Sequence, residues 1–324
     1  MNRLIVGCGY VGKEVARQWL ATGNAVYAIT RSRQRAEELS SLGIRPVVWD
    51  WYRPINMIGN ELVLPPIDSV VVSVSHAAVP GIEPELTHTI GLKNLMSYWN
   101  SRNDLMRPSS WCYVSTTGVY APRDDGGWVD EISEVRPLRA GSKAAYAAEQ
   151  WIQQTLFEDS NVERDQQVGG AMLRAAGIYG PGRVPRLDSL RNNEPLEIDP
   201  ESYLNLIHVV DLAGIIVAVC VGCLKHRLYN VADGNPVKRR DYYEFIAHQV
   251  GTAPPRFTPS SPLSSGKVLD KSGESNLVSG PDRIPVHRSR GEGSKRINTD
   301  RLQKELGYSL KYPDFREGLT PLLF

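Results

Sequence analysis

Gly7, Gly9 and Gly12 follow the apolar run Leu4-Ile5-Val6 in a G-x-G-x-x-G spacing. The first glycine permits a tight turn out of a strand, the second lets the backbone approach an anion closely, and the third lets the next helix pack on the sheet. Tyr10 and Val11 fall where that helix begins, so their N–H groups and the positive end of the helix dipole can hold a pyrophosphate. This is the chemistry of dinucleotide binding. The chain supplies the required context, since Val15, Ala16, Trp19 and Leu20 recur at helical spacing, Gly23-Asn24 closes the helix, and Ala25 to Ile29 reads as a second strand. That strand runs into Thr30-Arg31-Ser32-Arg33 rather than into an acid. A carboxylate there would bond a ribose hydroxyl and repel a 2′-phosphate, whereas guanidinium groups grip one. Arg31 and Arg33 therefore favour NADP over NAD.

The elements that must carry these residues alternate. A helix is expected over Gln34 to Leu42, then strands at Pro46 to Trp49, Ser69 to Val74, Trp111 to Ser115 and Gly170 to Arg174, with helices at Glu85 to Asn100 and Ser142 to Phe157 between them. This order predicts an α/β fold: a Rossmann-type, doubly wound parallel sheet with helices on both faces. Past Gly180 the pattern breaks into short pieces. Ile207 to Asp211 opens a helix, Leu228 to Val231 reads as a strand, and Arg239 to Gln249 as a helix. Thr252 to Gly293, rich in Ser, Pro and Gly and carrying His287-Arg288-Ser289-Arg290, reads as a long loop or insertion. Thr299 is expected to cap a helix over Asp300 to Leu306 that Gly307 ends.

Composition narrows the function classes. The 324 residues are 41% hydrophobic and 23% charged, with a formal net charge of +1. Such a chain has no global attraction for nucleic acid or an anionic membrane surface. No apolar run reaches the ~18 residues of a membrane span, and Leu212 to Leu224 reads as a buried helix. Four cysteines do not make a disulfide framework, and the expected setting is the cytoplasm. Cys220 and Cys223 form a C-x-x-C with no second ligand pair nearby. They read as buried core thiols, and no metal site is expected.

Further motifs follow in one order: Val114-Ser115-Thr116-Thr117-Gly118-Val119-Tyr120, Leu173 to Arg183, Ile207 to Leu212, Tyr229 to Asp233, Tyr312-Pro313 and Arg316 to Leu319. Together with the glycine loop, this series resembles the extended short-chain dehydrogenases/reductases of the NAD-dependent epimerase/dehydratase group. Gly126-Gly127-Trp128-Val129-Asp130-Glu131 brings it nearest to the atypical, YeeZ-like members. The resemblance implies a dinucleotide domain over residues 1–180, to which 207–233 return, and a smaller C-terminal α/β substrate domain from 181–206 and 234–324. The active-site cleft would lie between them. It also implies that Asp50 accepts from the adenine amino group or caps the next turn, and that Ser73 and Ser75 line the nicotinamide-side ribose. The small-molecule substrate would be a carbonyl or hydroxyl compound of nucleotide-sugar type. Arg174 and Arg183 could face its anionic part, and Arg183, after Gly-Pro-Gly, is favoured. Relatives pair through the helices near Glu85 to Asn100 and Ser142 to Phe157, so a homodimer is expected by analogy.

In this family a Tyr-x-x-x-Lys pair on the second of those helices exchanges the proton, and a Ser or Thr at the end of the preceding strand bonds the same oxygen. Ser115 and Thr116 stand at the hydroxyl positions. Matching the helix through Ala147 to Gln150 puts Gly141 at the tyrosine and Ala145 at the lysine, and no Tyr-x-x-x-Lys occurs anywhere in the chain. Two readings remain. In the first, the protein is an enzyme with another proton donor, with Tyr120, Tyr146 and Tyr179 as candidates. In the second, it is a dinucleotide-binding sensor or regulatory protein without turnover. His208 and Asp211 are read as structural: a hydrogen-bonding histidine between domains and a carboxylate at a helix start.

Overall fold

The computed structural model describes residues 1–54, 64–101, 107–123, 125–157, 168–258 and 294–323. The chain begins with β1 (Asn2–Val6), α1 (Tyr10–Ala21), β2 (Ala25–Thr30), α2 (Arg33–Ser41) and β3 (Arg45–Val48). It continues with β4 (Ser69–Val72), α3 (Thr87–Asn100), β5 (Ser110–Thr116) and α4 (Ala140–Ile152). Strands Gly169–Ala175 and Leu228–Val231 complete a seven-stranded sheet. From one edge the order is Leu228–Val231, Gly169–Ala175, β5, β4, β1, β2, β3, and every neighbouring pair is parallel. The predicted doubly wound sheet is what forms. Chain order runs outward both ways from β1, so the order reverses between β1 and β4. A crevice opens there beyond the carboxyl ends of the strands.

Burial on both faces explains why these strands read as continuous apolar runs rather than alternating ones. Ile5, Val71, Cys112 and Leu173 pack on one side under α1 and the helix Val209–Val219. Leu4, Val6, Val70, Val72 and Met172 pack on the other under α3 and α4, with Trp49, Trp51, Trp99 and Trp111. A third apolar cluster joins Tyr179, Leu190 and Leu206 to Tyr242 and Ile246 of the helix Arg239–Gln249. Phe315 and Leu319 of the C-terminal helix Phe315–Leu323 complete it.

Several local expectations change. Helix α4 starts two residues early, at Ala140, and ends at Ile152, where a π-helical turn, Gln153–Phe157, takes over. The strand expected to reach Val74 stops at Val72. Thr299 makes no side-chain cap to the helix Asp300–Leu306. Instead Asn298 Oδ1 accepts from the Asp300 N–H, while Gly307 closes the helix in the left-handed conformation as expected. Cys220 is buried, but Cys223 lies beyond the end of its helix and is exposed, so it is not a core thiol. Most of the Thr252 to Gly293 segment, with its basic cluster, lies outside the described residues. Among the described residues, no helix is long and apolar enough to cross a membrane.

Candidate functional site

The glycine loop occupies the crevice where the strand order reverses. Gly7 has φ +85°, and a Cβ there would lie 2.5 Å from the Ser73 carbonyl oxygen, so only glycine fits. A Cβ on Gly12 would lie 2.7 Å from the Gly7 oxygen, which is how α1 closes against the turn. A Cβ on Gly9 would meet nothing within 4 Å, because that residue faces open space. The N–H groups at the start of α1 remain outside the helical ladder and are available to an anion.

A cleft of about 240 Å³ lies over this loop. Its lining includes Gly7, Cys8, Gly9, Trp49, Trp51 and Tyr52, together with Ser73, Ser75 and Ala77. Among the described residues, its charged lining members are Arg31 and Arg35, and no carboxylate belongs to the lining. The Arg31 guanidinium sits 5.8 Å from the centre of the Tyr52 ring. Arg35 donates from Nη2 to the Cys8 carbonyl at 3.0 Å and pairs with Glu38. Burial pushes the Cys8 thiol up to about 11, with Arg35 opposing the shift, so it stays protonated at neutral pH. Arg33, expected at the 2′-phosphate, is instead the exposed first residue of α2 and does not line the cleft. Asp50 also stays outside the lining. Its Oδ1 accepts from the Tyr52 N–H at 3.3 Å and it pairs loosely with Arg53, so it caps the turn. Tyr10, at the start of α1, stacks under the Arg183 guanidinium at 5.4 Å, which ties the glycine loop to the Gly180 to Arg183 turn.

The residues expected to carry the reaction are rearranged. Ser115 is 5% exposed and its hydroxyl donates to Glu149 of α4. The Glu149 carboxylate also takes Arg174 Nη2 at 2.7 Å and Nε at 3.1 and 3.2 Å, with both side chains almost fully buried. Burial opposes the Arg174 charge, but bonding and attraction from Glu149 outweigh it and hold its pKa above the ordinary range. Arg174 therefore does not face an anionic substrate, and Ser115 belongs to a buried ion-pair network. The next residue along the strand, Thr116, is partly exposed, and its Oγ1 accepts from the Gly118 N–H at 3.0 Å.

Two of the three candidate phenols are also committed elsewhere. Tyr120 is buried, donates to Asn230 Oδ1 at 2.6 Å and lies under the Arg174 guanidinium. Tyr179 is fully buried and packs on Gly318, and burial, then Asp233, Asp211 and Asp314, push its pKa up. Neither is a proton donor to a cleft. Tyr146 stays partly exposed beside Val119 and Tyr120. Asp211 and His208 have structural roles. Both oxygens of Asp211 accept backbone N–H groups, of Lys311 at 2.7 Å and Tyr312 at 2.9 Å, while His208 Nδ1 accepts from the Val210 N–H.

A histidine not singled out from the sequence packs against Gly141, the residue that the resemblance matches to the family's tyrosine. A Cβ built on Gly141 would lie 3.2 Å from His76 Cβ and 3.5 Å from its Cγ. His76 sits on the loop after β4, between the cleft-lining Ser75 and Ala77. His88 of α3 lies 6.3 Å from it, ring centre to ring centre, and its Nδ1 bonds the Tyr113 hydroxyl at 2.7 Å. Burial pushes the His88 imidazole down to about 4, with His76 adding to the effect.

Fold and crevice together define a Rossmann-type α/β protein. No protein-family model matches the chain. Protein YeeZ of Escherichia coli (strain K12) is 25% identical over 202 residues, which is 62% of this chain and 58% of YeeZ, so the match spans less than two thirds of that relative. Among solved structures, a conserved protein of unknown function from Silicibacter pomeroyi is 26% identical, with a TM-score of 0.72 over 99% of this chain and 98% of that one. The UDP-glucose 4-epimerase of Thermotoga maritima, solved with UDP-glucose, is 17% identical, with a TM-score of 0.74 over 100% and 97%. MoeE5, solved with UDP-glucose and NAD, is 19% identical, with a TM-score of 0.68 over 100% and 97%. The resemblance read from the motifs is borne out: the chain is a relative of YeeZ built on the fold of the NAD-dependent epimerases and dehydratases.

Proposed function

We propose that this protein is an NADP(H)-dependent enzyme of the extended short-chain dehydrogenase/reductase type that interconverts a carbinol and a carbonyl on a nucleotide-sugar-like substrate. The observation that carries this reading is the cleft itself. A glycine cradle opens at Gly9, where a Cβ would meet nothing within 4 Å, beneath a lining that carries, among the described residues, two arginines and no carboxylate. A pyrophosphate fits the cradle, and a 2′-phosphate fits Arg31 and Arg35. Ser73 and Ser75 offer hydroxyls to the nicotinamide-side ribose. When bound, the nicotinamide supplies a carbon that takes or gives hydride. The substrate class is carried over from the nucleotide sugars in the solved neighbours. Its anionic part would meet Arg183, and the smaller unit at 181–206 and 234–324 would hold it. Pairing of two copies through α3 and α4 belongs to the same analogy.

Titration with NADPH and with NADH tests the reading. Trp49 and Trp51 line the cleft, so energy transfer to the dihydronicotinamide reports binding. NADPH should bind at least tenfold more tightly, and Arg31→Asp should remove that preference. Equal affinity for the two cofactors rules out the NADP assignment, and no binding of either rules out the function. A second reading, binding without turnover, is favoured by Gly141 and Ala145 at the positions of the proton-transfer pair. It predicts tight NADPH binding and no product from UDP-glucose, UDP-N-acetylglucosamine or dTDP-glucose.

A further inference from the structure

We infer that His76 is the proton-transfer residue of this site, in place of the absent tyrosine. The inference rests on the dinucleotide-binding function proposed above. Two residues far apart in sequence pack against each other. Gly141 lies in the first turn of α4, and a Cβ there would approach His76 Cβ, Cγ and Cδ2 to 3.2, 3.5 and 3.6 Å. The imidazole is laid over the backbone from which the family's phenol would project. Glycine at 141 leaves the room for it, since a Cβ there already presses on His76 Cβ at 3.2 Å and touches the ring, and a larger side chain would extend into the ring's space. His76 also follows Ser75 and precedes Ala77, both in the cleft lining, so it stands at the rim of the cleft with its ring packed on the first turn of α4.

The hydrogen bonds around the ring favour one tautomer. Thr87 Oγ1 donates its proton to the Pro84 carbonyl at 3.0 Å and lies 3.4 Å from His76 Nδ1. The threonine thus turns a lone pair toward Nδ1, which favours a proton on Nδ1. That arrangement leaves Nε2 with the free lone pair, and among the described residues it has no hydrogen-bond partner. The neighbouring ionisable groups on the packed elements are His88, 6.3 Å away, and the Lys143–Glu85 ion pair, which joins α4 to the turn before α3 at 2.6 Å. His88 is held neutral by its burial.

As a carbinol is oxidised, its O–H proton passes to Nε2 and the imidazole becomes imidazolium, which later releases the proton to water. The C–H hydrogen would leave with its electron pair to the oxidised nicotinamide, which the Gly7 to Gly12 loop and the cleft would hold, and a C=O bond would remain. Reduction runs these transfers in reverse. Thr116, partly exposed at the end of β5, is the hydroxyl left to bond the same oxygen, now that Ser115 is committed to Glu149.

The test uses the full chain with labelled histidine, which gives six side-chain signals, the His76 signal being assigned from its loss in His76→Gln. NADPH should move that signal. Replacing NADPH by NADP⁺ at the same pH should move it again, further than the other five, because the oxidised ring carries a positive charge. His76→Gln should keep NADPH affinity within about threefold, while losing roughly 100-fold or more in kcat with little change in KM on any nucleotide sugar the wild type turns over. Imidazole in the buffer should restore part of the activity of His76→Gly. If both cofactors bind and the His76 signal is indifferent to oxidation state, or if His76→Gln turns over at the wild-type rate, His76 is not the proton carrier and the binding function stands. If neither cofactor binds, both proposals fall.

Discussion

Glu149→Ala would leave Arg174 charged, buried and without its acid. The structure sets the size of the effect. Both side chains are nearly inaccessible, three nitrogen–oxygen contacts of 2.7 to 3.2 Å join them, and the Ser115 hydroxyl adds a further bond to the same carboxylate. Removing one partner of such a pair costs about 3–5 kcal/mol, because the other charge remains desolvated. Against a total stability of about 5–15 kcal/mol for a typical protein, that is a large fraction. Arg174→Met should cost a similar amount. Glu149→Leu should cost about as much as Glu149→Ala, and the double variant Glu149→Leu/Arg174→Met removes both charges and keeps most of the volume, so in the cycle of wild type, Glu149→Leu, Arg174→Met and the double it should lie well above the sum of the singles, with a coupling of several kcal/mol. Urea unfolding followed by tryptophan fluorescence measures all four forms, with the denaturant slope unchanged if only stability has moved. Single variants within about 0.5 kcal/mol of wild type, with additive effects, would refute the buried pair. Ser115→Ala completes the set. It should cost about 1 kcal/mol of stability and leave NADPH affinity untouched, whereas a serine facing bound ligand would show the reverse.

Gly9→Ala should leave stability within about 0.5 kcal/mol, since its Cβ meets no atom, yet it should weaken NADPH binding by filling the cradle. Gly7→Ala should instead destabilise the fold, because its φ is +85° and its Cβ would press on Ser73. Arg35→Glu, which puts an acid in the cleft, should weaken NADPH more than NADH in the same fluorescence titration. His88 gives a pH prediction. Its pKa falls from 6.5 to about 4 on folding, so between those values the unfolded chain holds the extra proton. Its contribution is fully present above pH 6.5 and is lost on acidification toward pH 4, by about 1.4 kcal/mol per pH unit. His88→Gln should flatten that part of the stability curve, and an unchanged slope would show that His88 does not supply it.

The parts of this protein legible in sequence are those fixed by short-range covalent spacing. The glycine loop is one, because its three steric demands fall within six residues. The parallel sheet is another, because its apolar strands and amphipathic helices alternate. Ser115 is misleading in sequence for a definite reason. β5 is buried on both faces, so Trp111 to Ser115 shows no alternation from which to say which of Ser115 and Thr116 turns inward. Arg33 and Arg35 pose the same problem on a helix, where two residues amount to about 200° of rotation. Which arginine reaches back to Cys8 depends on where α2 starts, and Ser32 sets that start as its N-cap. The Glu149–Arg174 pair and the His76–Gly141 contact join distant segments, and no local pattern announces either one.

The proposed role of His76 also accounts for the absence of both members of the Tyr-x-x-x-Lys pair rather than one. In the family arrangement a lysine assists the phenol because a phenol of ordinary pKa near 10 is a poor proton acceptor at neutral pH. Imidazole accepts a proton directly on a ring-nitrogen lone pair and needs no such help. Once His76 lies against Gly141, a lysine at 145 has no phenol to act on. Its position is instead occupied by Ala145, which is 4% exposed and packs with Val119, Tyr120 and Val129. A lysine there would have to bury its charge in that cluster at a cost of several kcal/mol. Restoring the family's chemistry therefore requires more than Gly141→Tyr, which collides with His76, or Ala145→Lys, which buries a charge. Each alone should impair the protein. The triple variant His76→Ala/Gly141→Tyr/Ala145→Lys, which clears the ring and gives the lysine a phenol, is the combination that should recover NADPH binding together with a proton carrier.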